Sequence, residues 1–216
     1  MIGIYDYTVI LTYISVMVSF VGMMMAGEGH YKIAIVCLAI SGLLDMFDGK
    51  VARTKKDRTE EGKKFGIQID SLCDIVCFGA APIVICHSMG IGIRRDIIGL
   101  LILLFYGVAG VIRLAYFNVA EEMRQNETTE NRKFYQGLPI TSAAIALPVI
   151  YMLRPLFTDE IFLLIVKIMM LAVGTLFITD FKFKKPSNGV IAILVIIVAS
   201  ALLFSFTREW HMWRMN

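Results

Sequence analysis

Four aspartates, Asp45, Asp48, Asp70 and Asp74, border two apolar stretches within residues 45–74, DMFDGKVARTKKDRTEEGKKFGIQIDSLCD. An ionised carboxylate is costly in a low-dielectric medium unless something compensates it. On a helix Asp45 and Asp48 lie three apart, and Gly49 and Ala52 follow them by four, so all share one side. Gly66, Asp70 and Asp74 form an i, i+4, i+8 ladder at the start of the next apolar stretch. Four carboxylates on two neighbouring helix ends repel one another unless cations sit among them. Oxygen-only ligands suit hard ions such as Mg²⁺, Mn²⁺ or Ca²⁺ and not zinc. Two cations in such a cluster make sense if the ligand also carries phosphate, because metal then screens both sets of charge. Asp57, Glu60 and Glu61 are interleaved with Lys and Arg and read as a solvated loop. Asp74 lies about two turns inside an apolar helix, where an ionisable residue is functional by default.

Small residues and one cation complete this constellation. Gly49, Ala52 and Gly66 leave room beside the carboxylates for a flat or bulky group. Arg53 supplies a fork of donors suited to phosphate oxygens. Together these residues predict a metal-dependent phosphoryl-transfer site at a membrane surface.

The elements that must position them are membrane helices. The chain has 216 residues, 57% hydrophobic and only 18% charged, with a mean hydropathy of +0.71. A soluble domain carries about 25% charged residues. Apolar stretches recur at 7–26, 31–48, 67–88, 96–118, 138–157, 160–179 and 189–206, each long enough to cross a hydrocarbon core about 30 Å thick. The expectation is an all-α, polytopic transmembrane bundle of about seven spans (six to eight), forming a single domain over 1–216. The first stretch lacks a basic n-region and an Ala-x-Ala site, so it reads as a retained span and not a cleaved signal. Cys37, Cys73, Cys77 and Cys86 fall inside spans without zinc-like spacing and read as packing residues, with no disulfide framework.

Basic residues set the orientation. With seven spans, loops 49–66, 119–137 and 180–188 share one side and hold seven, three and three Lys/Arg, 13 of the 21 in the chain. That places the aspartate-rich loop and the N-terminus on the cytoplasmic side of a cell membrane. The net charge of +3 matters less than its placement. A basic cytoplasmic face favours anionic lipid headgroups, and no nucleic-acid partner is expected.

The pattern Asp45-x2-Asp48-Gly49-x2-Ala52-Arg53, then Gly66-x3-Asp70-x3-Asp74, resembles the signature of the CDP-alcohol phosphatidyltransferase family. The Arg53–Gly66 connection is longer than is usual there, an insertion that loop-closure entropy tolerates. The run DSLCDIVCFGAAP at 70–82 resembles the phosphatidylserine synthase branch, and Arg113-Leu114-Ala115-Tyr116-Phe117-Asn118 and Gly137-Leu138-Pro139-Ile140 agree with it. The polar entry to the first span, Asp6-Tyr7-Thr8 and Thr12, has a counterpart in that branch. The likeness covers about residues 42–140; residues 141–216 add hydrophobic spans without an assignable motif.

This resemblance implies a membrane enzyme, commonly a homodimer, that joins CDP-diacylglycerol to L-serine and releases CMP. Carried over position by position, Asp45, Asp48 and Asp70 bind divalent metal, Mg²⁺ or Mn²⁺ as two ions, and Asp74 divides its duty between metal and general base. Gly49 and Ala52 line the cytidine site with Gly66 nearby, and Arg53 lies near the phosphates. No Ser, Cys or His is placed for a covalent intermediate, so direct transfer is expected.

Other readings stay open at this point. Within the family, the acceptor is alternatively glycerol phosphate or an inositol derivative. Outside it, a divalent-cation transporter would also use carboxylates, although transporters generally place such sites near the midplane and these acids lie at one face. Arg113 is open between an internal or snorkelling cation and an anion site for serine carboxylate or lipid phosphate, with Asn118 in the same cleft. Lys167 has no partner legible in the sequence. Pro82, Pro139 and Pro148 read as kinks tolerated where neighbours re-satisfy the backbone, and Trp210 and Trp213 as an interfacial belt.

Overall fold

The computed structural model describes residues 7–52, 59–92, 96–127 and 134–184, with 3, 5, 54, 55, 57, 189 and 200 as isolated positions. Arg53, Arg132 and Lys133, most of the 189–206 stretch, Trp210 and Trp213 lie outside the described residues.

Two long helices begin the chain, α1 (Tyr7–Gly27) and α2 (Tyr31–Ala52). Gly29 turns the chain between them at φ +84°, a left-handed conformation that suits glycine. The pair packs closely because a side chain at Gly22 would meet Cys37 Cβ at 2.8 Å. Helix α3 (Glu60–Asp74) starts on Thr59, whose Oγ1 accepts the Gly62 N–H at 3.0 Å and so satisfies one of the orphan donors of the first turn. It continues through a wide π turn (Ile75–Ala80) into α4 (Ala81–Ser88). Pro82 has no N–H to offer the Phe78 carbonyl, and the buried Tyr106 hydroxyl donates to that oxygen from the next helix. A neighbour thus re-satisfies the backbone at the proline, as expected for a membrane helix.

Helix α5 (Ile97–Glu127) is followed by α6 (Ala143–Met152) between two short 3-10 turns, and by α7 (Asp159–Ile178). A two-stranded antiparallel ribbon joins β1 (Phe134–Gln136) to β2 (Lys182–Lys184), with Tyr135 opposite Phe183. Among the described residues the fold is therefore helical apart from this ribbon. Phe78, Ile35, Leu38, Tyr106, Leu147 and Val166 are among the residues of one continuous core. Gly42 lets α2 lie against α6, since a Cβ there would stand 2.5 Å from that of Ala144. Leu101, Leu104, Val108 and Ile112 on α5 and Leu164, Ile168 and Leu171 on α7 face outward. Such an apolar surface is stable against lipid and a liability in water.

Among the described residues, four helices are long and apolar enough to cross a membrane: Tyr7–Gly27, Lys64–Ser88, Ile97–Met123 and Asp159–Ile178. The count of about seven is thus not reached. Helix α2 carries Lys32, Asp45, Asp48 and Lys50 along its 22 residues. The expected 138–157 span is a shorter apolar piece, Ile140–Leu156, broken by its 3-10 turns.

Lys167 does have a partner. Its ammonium lies 2.9 Å from Asp96 Oδ2, while Asp96 Oδ1 accepts the Gly99 N–H at 2.9 Å and caps α5. The Lys167 hydrogen bond and then the Gly99 N–H hold the Asp96 carboxyl below the usual carboxylate range. This pair ties α5 to α7 at the end of the bundle away from the four aspartates.

Candidate active site

The end of α2 and the second half of α3 bring the predicted acids together. One carboxylate oxygen from each of Asp45, Asp70 and Asp74 lies within 4.8 Å of the others. Asp45 and Asp74 are in side-chain hydrogen-bonding contact, and so are Asp48 and Asp70. Contacts between carboxylates need a proton or a cation between the oxygens, because bare anions at that range repel. The donor set consists of oxygens from half-buried side chains on rigid helices, and it suits a hard divalent cation. By the chemistry of its ligands, the cluster fits the metal that the sequence anticipates.

Asp48 is set slightly apart and is the most buried of the four, at 7% exposure. The Thr12 hydroxyl on α1 donates to its Oδ2 at 3.0 Å. Asp74 ends the regular part of α3, and the π turn begins at the next residue. Wide turns of this kind recur at functional sites because they re-aim the side chains beside them.

The small residues flank the acids along both helices. Gly49 is exposed one residue past Asp48, and a Cβ there would meet nothing within 4 Å. Ala52 is the half-buried last residue of α2, and Gly66 lies one turn before Asp70 on α3. Ser71, beside Asp70, donates to Asn118 Oδ1 at 3.0 Å and so fastens α3 to the far part of α5.

Arg113 and Asn118 are not brought into one cleft. Five residues on a helix turn through about 140° beyond a full circle, so Asn118 meets α3 while Arg113 meets the 137–138 segment. Arg113 is 5% exposed; its Nε donates to the Leu138 carbonyl at 2.9 Å and its Nη2 to the Gly137 carbonyl at 3.3 Å. Its guanidinium also lies over the Phe117 ring, 5.6 Å from the centroid. Gly137 adopts φ +70°, and a side chain there would stand 3.2 Å from the carbonyl oxygens of Phe177 and Thr179. Beside Arg113 a hollow of about 210 Å³ opens between α5 and the end of α7, lined also by Tyr116, Thr179 and Asp180.

Two features escaped sequence reasoning in their particulars. Thr12 stood out only as a polar residue at the entry of the first span, and its acid partner was not legible. The signal was present in the spacing: Thr8, Thr12, Ser15 and Ser19 mark one face of an otherwise apolar helix. The contact between Ser71 and Asn118 had no signal in local spacing.

The chain matches the model of a protein family described as CDP-alcohol phosphatidyltransferase over residues 7–179. It is 29% identical over 197 residues to the CDP-diacylglycerol–serine O-phosphatidyltransferase of Helicobacter pylori, covering 86% of this chain and 77% of that protein. It is 32% identical over 133 residues to the enzyme of the same name from Saccharomyces cerevisiae, covering 60% of this chain and 46% of the yeast protein. The archaetidylserine synthase of Methanothermobacter thermautotrophicus is 29% identical over 168 residues, 77% of this chain and 64% of that protein.

Proposed function

Because the chain belongs to the CDP-alcohol phosphatidyltransferase family, we propose that it transfers the phosphatidyl group of CDP-diacylglycerol to L-serine and releases CMP. The observation that carries the reaction class is the meeting of Asp45, Asp70 and Asp74 from two helices. Serine as acceptor is supported by the relatives, two of them serine phosphatidyltransferases and one an archaetidylserine synthase.

Asp45, Asp48, Asp70 and Asp74 would hold divalent metal, Mg²⁺ or Mn²⁺ in two ions. Such metal supplies charge neutralisation at the pyrophosphate and stabilises CMP as the leaving group. Gly49, Ala52 and Gly66 form the small-residue wall for the cytidine, and Arg53 serves the phosphates. Asp74 accepts the proton of the serine hydroxyl as its oxygen bonds to the phosphorus that carries diacylglycerol, and the bond from that phosphorus to the CMP oxygen breaks. Arg113 and Asn118 serve the acceptor or the lipid phosphate from two sides of α5.

The protein is a single-domain, multi-pass protein of the cell membrane in this reading, with its site facing the cytoplasm. Helix α2, the 140–156 segment and 189–206 complete about seven crossings, and two copies form a homodimer. The deciding experiment gives purified protein CDP-diacylglycerol, Mn²⁺ and one acceptor at a time. CMP release with serine is expected. Release with glycerol phosphate or inositol phosphate and not serine would reassign the acceptor, and cation flux without nucleotide turnover would replace the enzyme reading.

A further inference from the structure

The first helix carries four buried hydroxyl side chains, Thr8, Thr12, Ser15 and Ser19, at 3%, 6%, 3% and 1% exposure. Their spacing of four, three and four residues puts them on one face, turned toward α2. Ser15 and Ser41 exchange bonds with each other's backbone: Ser15 Oγ donates to the Ser41 carbonyl at 3.2 Å, and Ser41 Oγ to the Ser15 carbonyl at 3.0 Å. Ser19 Oγ lies 2.9 Å from Ser41 Oγ. These bonds fix how far α1 can slide or roll along α2, and seven residues from Ser41 toward the site stands Asp48.

Thr12 uses that fixed register differently. A threonine in an apolar helix can turn its hydroxyl back to the carbonyl four residues before it. Here it reaches across to Asp48 Oδ2 at 3.0 Å instead. A carboxylate has about four lone-pair directions, and a donor on one oxygen sets the plane in which the rest are offered. Asp48 is also in contact with Asp70, a member of the clustered trio.

We propose that Thr12 is a positioning residue of the metal site: its hydroxyl holds the Asp48 carboxylate so that the remaining lone pairs face Asp70 and a divalent cation. This rests on the metal-dependent reading above. It adds that α1, which holds none of the signature residues, completes the site.

The test measures Mn²⁺ binding to the purified detergent-solubilised protein from the electron paramagnetic resonance signal of free Mn²⁺, alongside thermal unfolding in EDTA. Thr12→Val keeps the shape and removes the donor; Thr12→Ser keeps the donor. Thr12→Val should bind Mn²⁺ about 10–100-fold more weakly, with Thr12→Ser close to the unsubstituted protein and the metal-free unfolding temperature little changed. In an Asp48→Asn background, Thr12→Val should cause no further loss, a comparison that cancels any general effect on folding. Undiminished Mn²⁺ affinity in folded Thr12→Val, with affinity lost in Asp45→Asn, would overturn the Thr12 role alone. An equal loss from Thr12→Val in both backgrounds would overturn it too. No Mn²⁺ binding by the unsubstituted protein would overturn the metal reading and this inference with it.

Discussion

Asp45 near the end of α2 and Asp74 at the end of α3 reach each other across the helix pair, with oxygens inside 4.8 Å and Asp70 at the same range from both. Twenty-eight residues of chain lie between them, including a loop that carries most of the local positive charge. Their proximity is held by helix packing, and it makes the site dependent on a cation to offset the like charges. Removing metal with EDTA should abolish CMP release, and Mn²⁺ or Mg²⁺ should restore it. Asp45→Asn and Asp70→Asn should lower turnover by about 10² or more, in protein that still elutes as a folded species in detergent. Full turnover after exhaustive chelation would sink the metal reading.

Asp74 differs from Asp45 in the work assigned to it. Asp74→Asn should remove turnover by about 10² or more and leave CDP-diacylglycerol binding largely intact. Asp45→Asn should lose both. Lipid-nucleotide titrations on the two variants decide the matter. Equal loss of binding would make Asp74 chiefly a metal ligand, and another base would be needed.

Arg113 bonds two successive backbone carbonyls at the Gly137 turn. Removing a donor to two buried acceptors costs about 1–3 kcal/mol. Arg113→Ala should therefore lower the unfolding temperature whatever else the residue does. The acceptor role adds a second effect, a raised KM for serine at unchanged CDP-diacylglycerol affinity. A drop in stability with serine KM unmoved would confine Arg113 to holding the turn.

The pair of Asp96 and Lys167 gives a pH signature. The Asp96 carboxyl lies below its ordinary value in the folded protein, so the stability it contributes is fully present above about pH 4. That contribution is lost as the pH falls from there through the lowered value. Asp96→Asn, which keeps the cap on α5 but not the charge, should cost about 0.5–1 kcal/mol at neutral pH. The gap between variant and unsubstituted protein should close on acidification. A gap constant from pH 7 to pH 3 in thermal melts would remove the ion pair from the account.

Helix α2 meets α6 at Gly42, where an added Cβ would stand 2.5 Å from the Ala144 Cβ. Gly42→Ala should destabilise by about 1–3 kcal/mol through overpacking. Ala144→Gly in the same chain should recover part of that loss, although glycine in a helix has its own cost of about 1 kcal/mol. Additive losses in the double variant would show that the two positions do not compete for the same space.

The acid cluster was legible because its order is local: residues four apart on a helix share a face, and both helices carry their own ladder. The membrane class was legible from composition for the same reason. Long-range pairings were not. Lys167 has no partner in its own segment because Asp96 stands 71 residues earlier, at the head of another helix. Thr12 was visible as a polar residue, yet nothing within α1 says that Asp48 lies across from it. The wide turn after Asp74 had no local mark except Pro82, and a proline is equally compatible with a simple kink. Of the seven expected spans, four are found among the described residues, and most of 189–206 lies outside them. Average hydropathy over 138–157 does not register the 3-10 turns at its ends, and the acids that do the chemistry in α2 also lower its apolarity.

The π turn at Ile75–Ala80 makes the winding of the segment matter as much as its residue types. Each residue of an α-helix advances the chain by about 100° around its axis, and a π turn stores an extra residue within one circuit. Winding the same six residues as a regular α-helix would turn Asp70 and Asp74 relative to α4 by about a quarter of a circle. Loss of the stored residue together with the wide turn would leave the acids and the core nearly in phase. The segment therefore acts as an angular spacer: its wide winding is part of the active-site geometry, although none of its side chains belongs to the acid cluster.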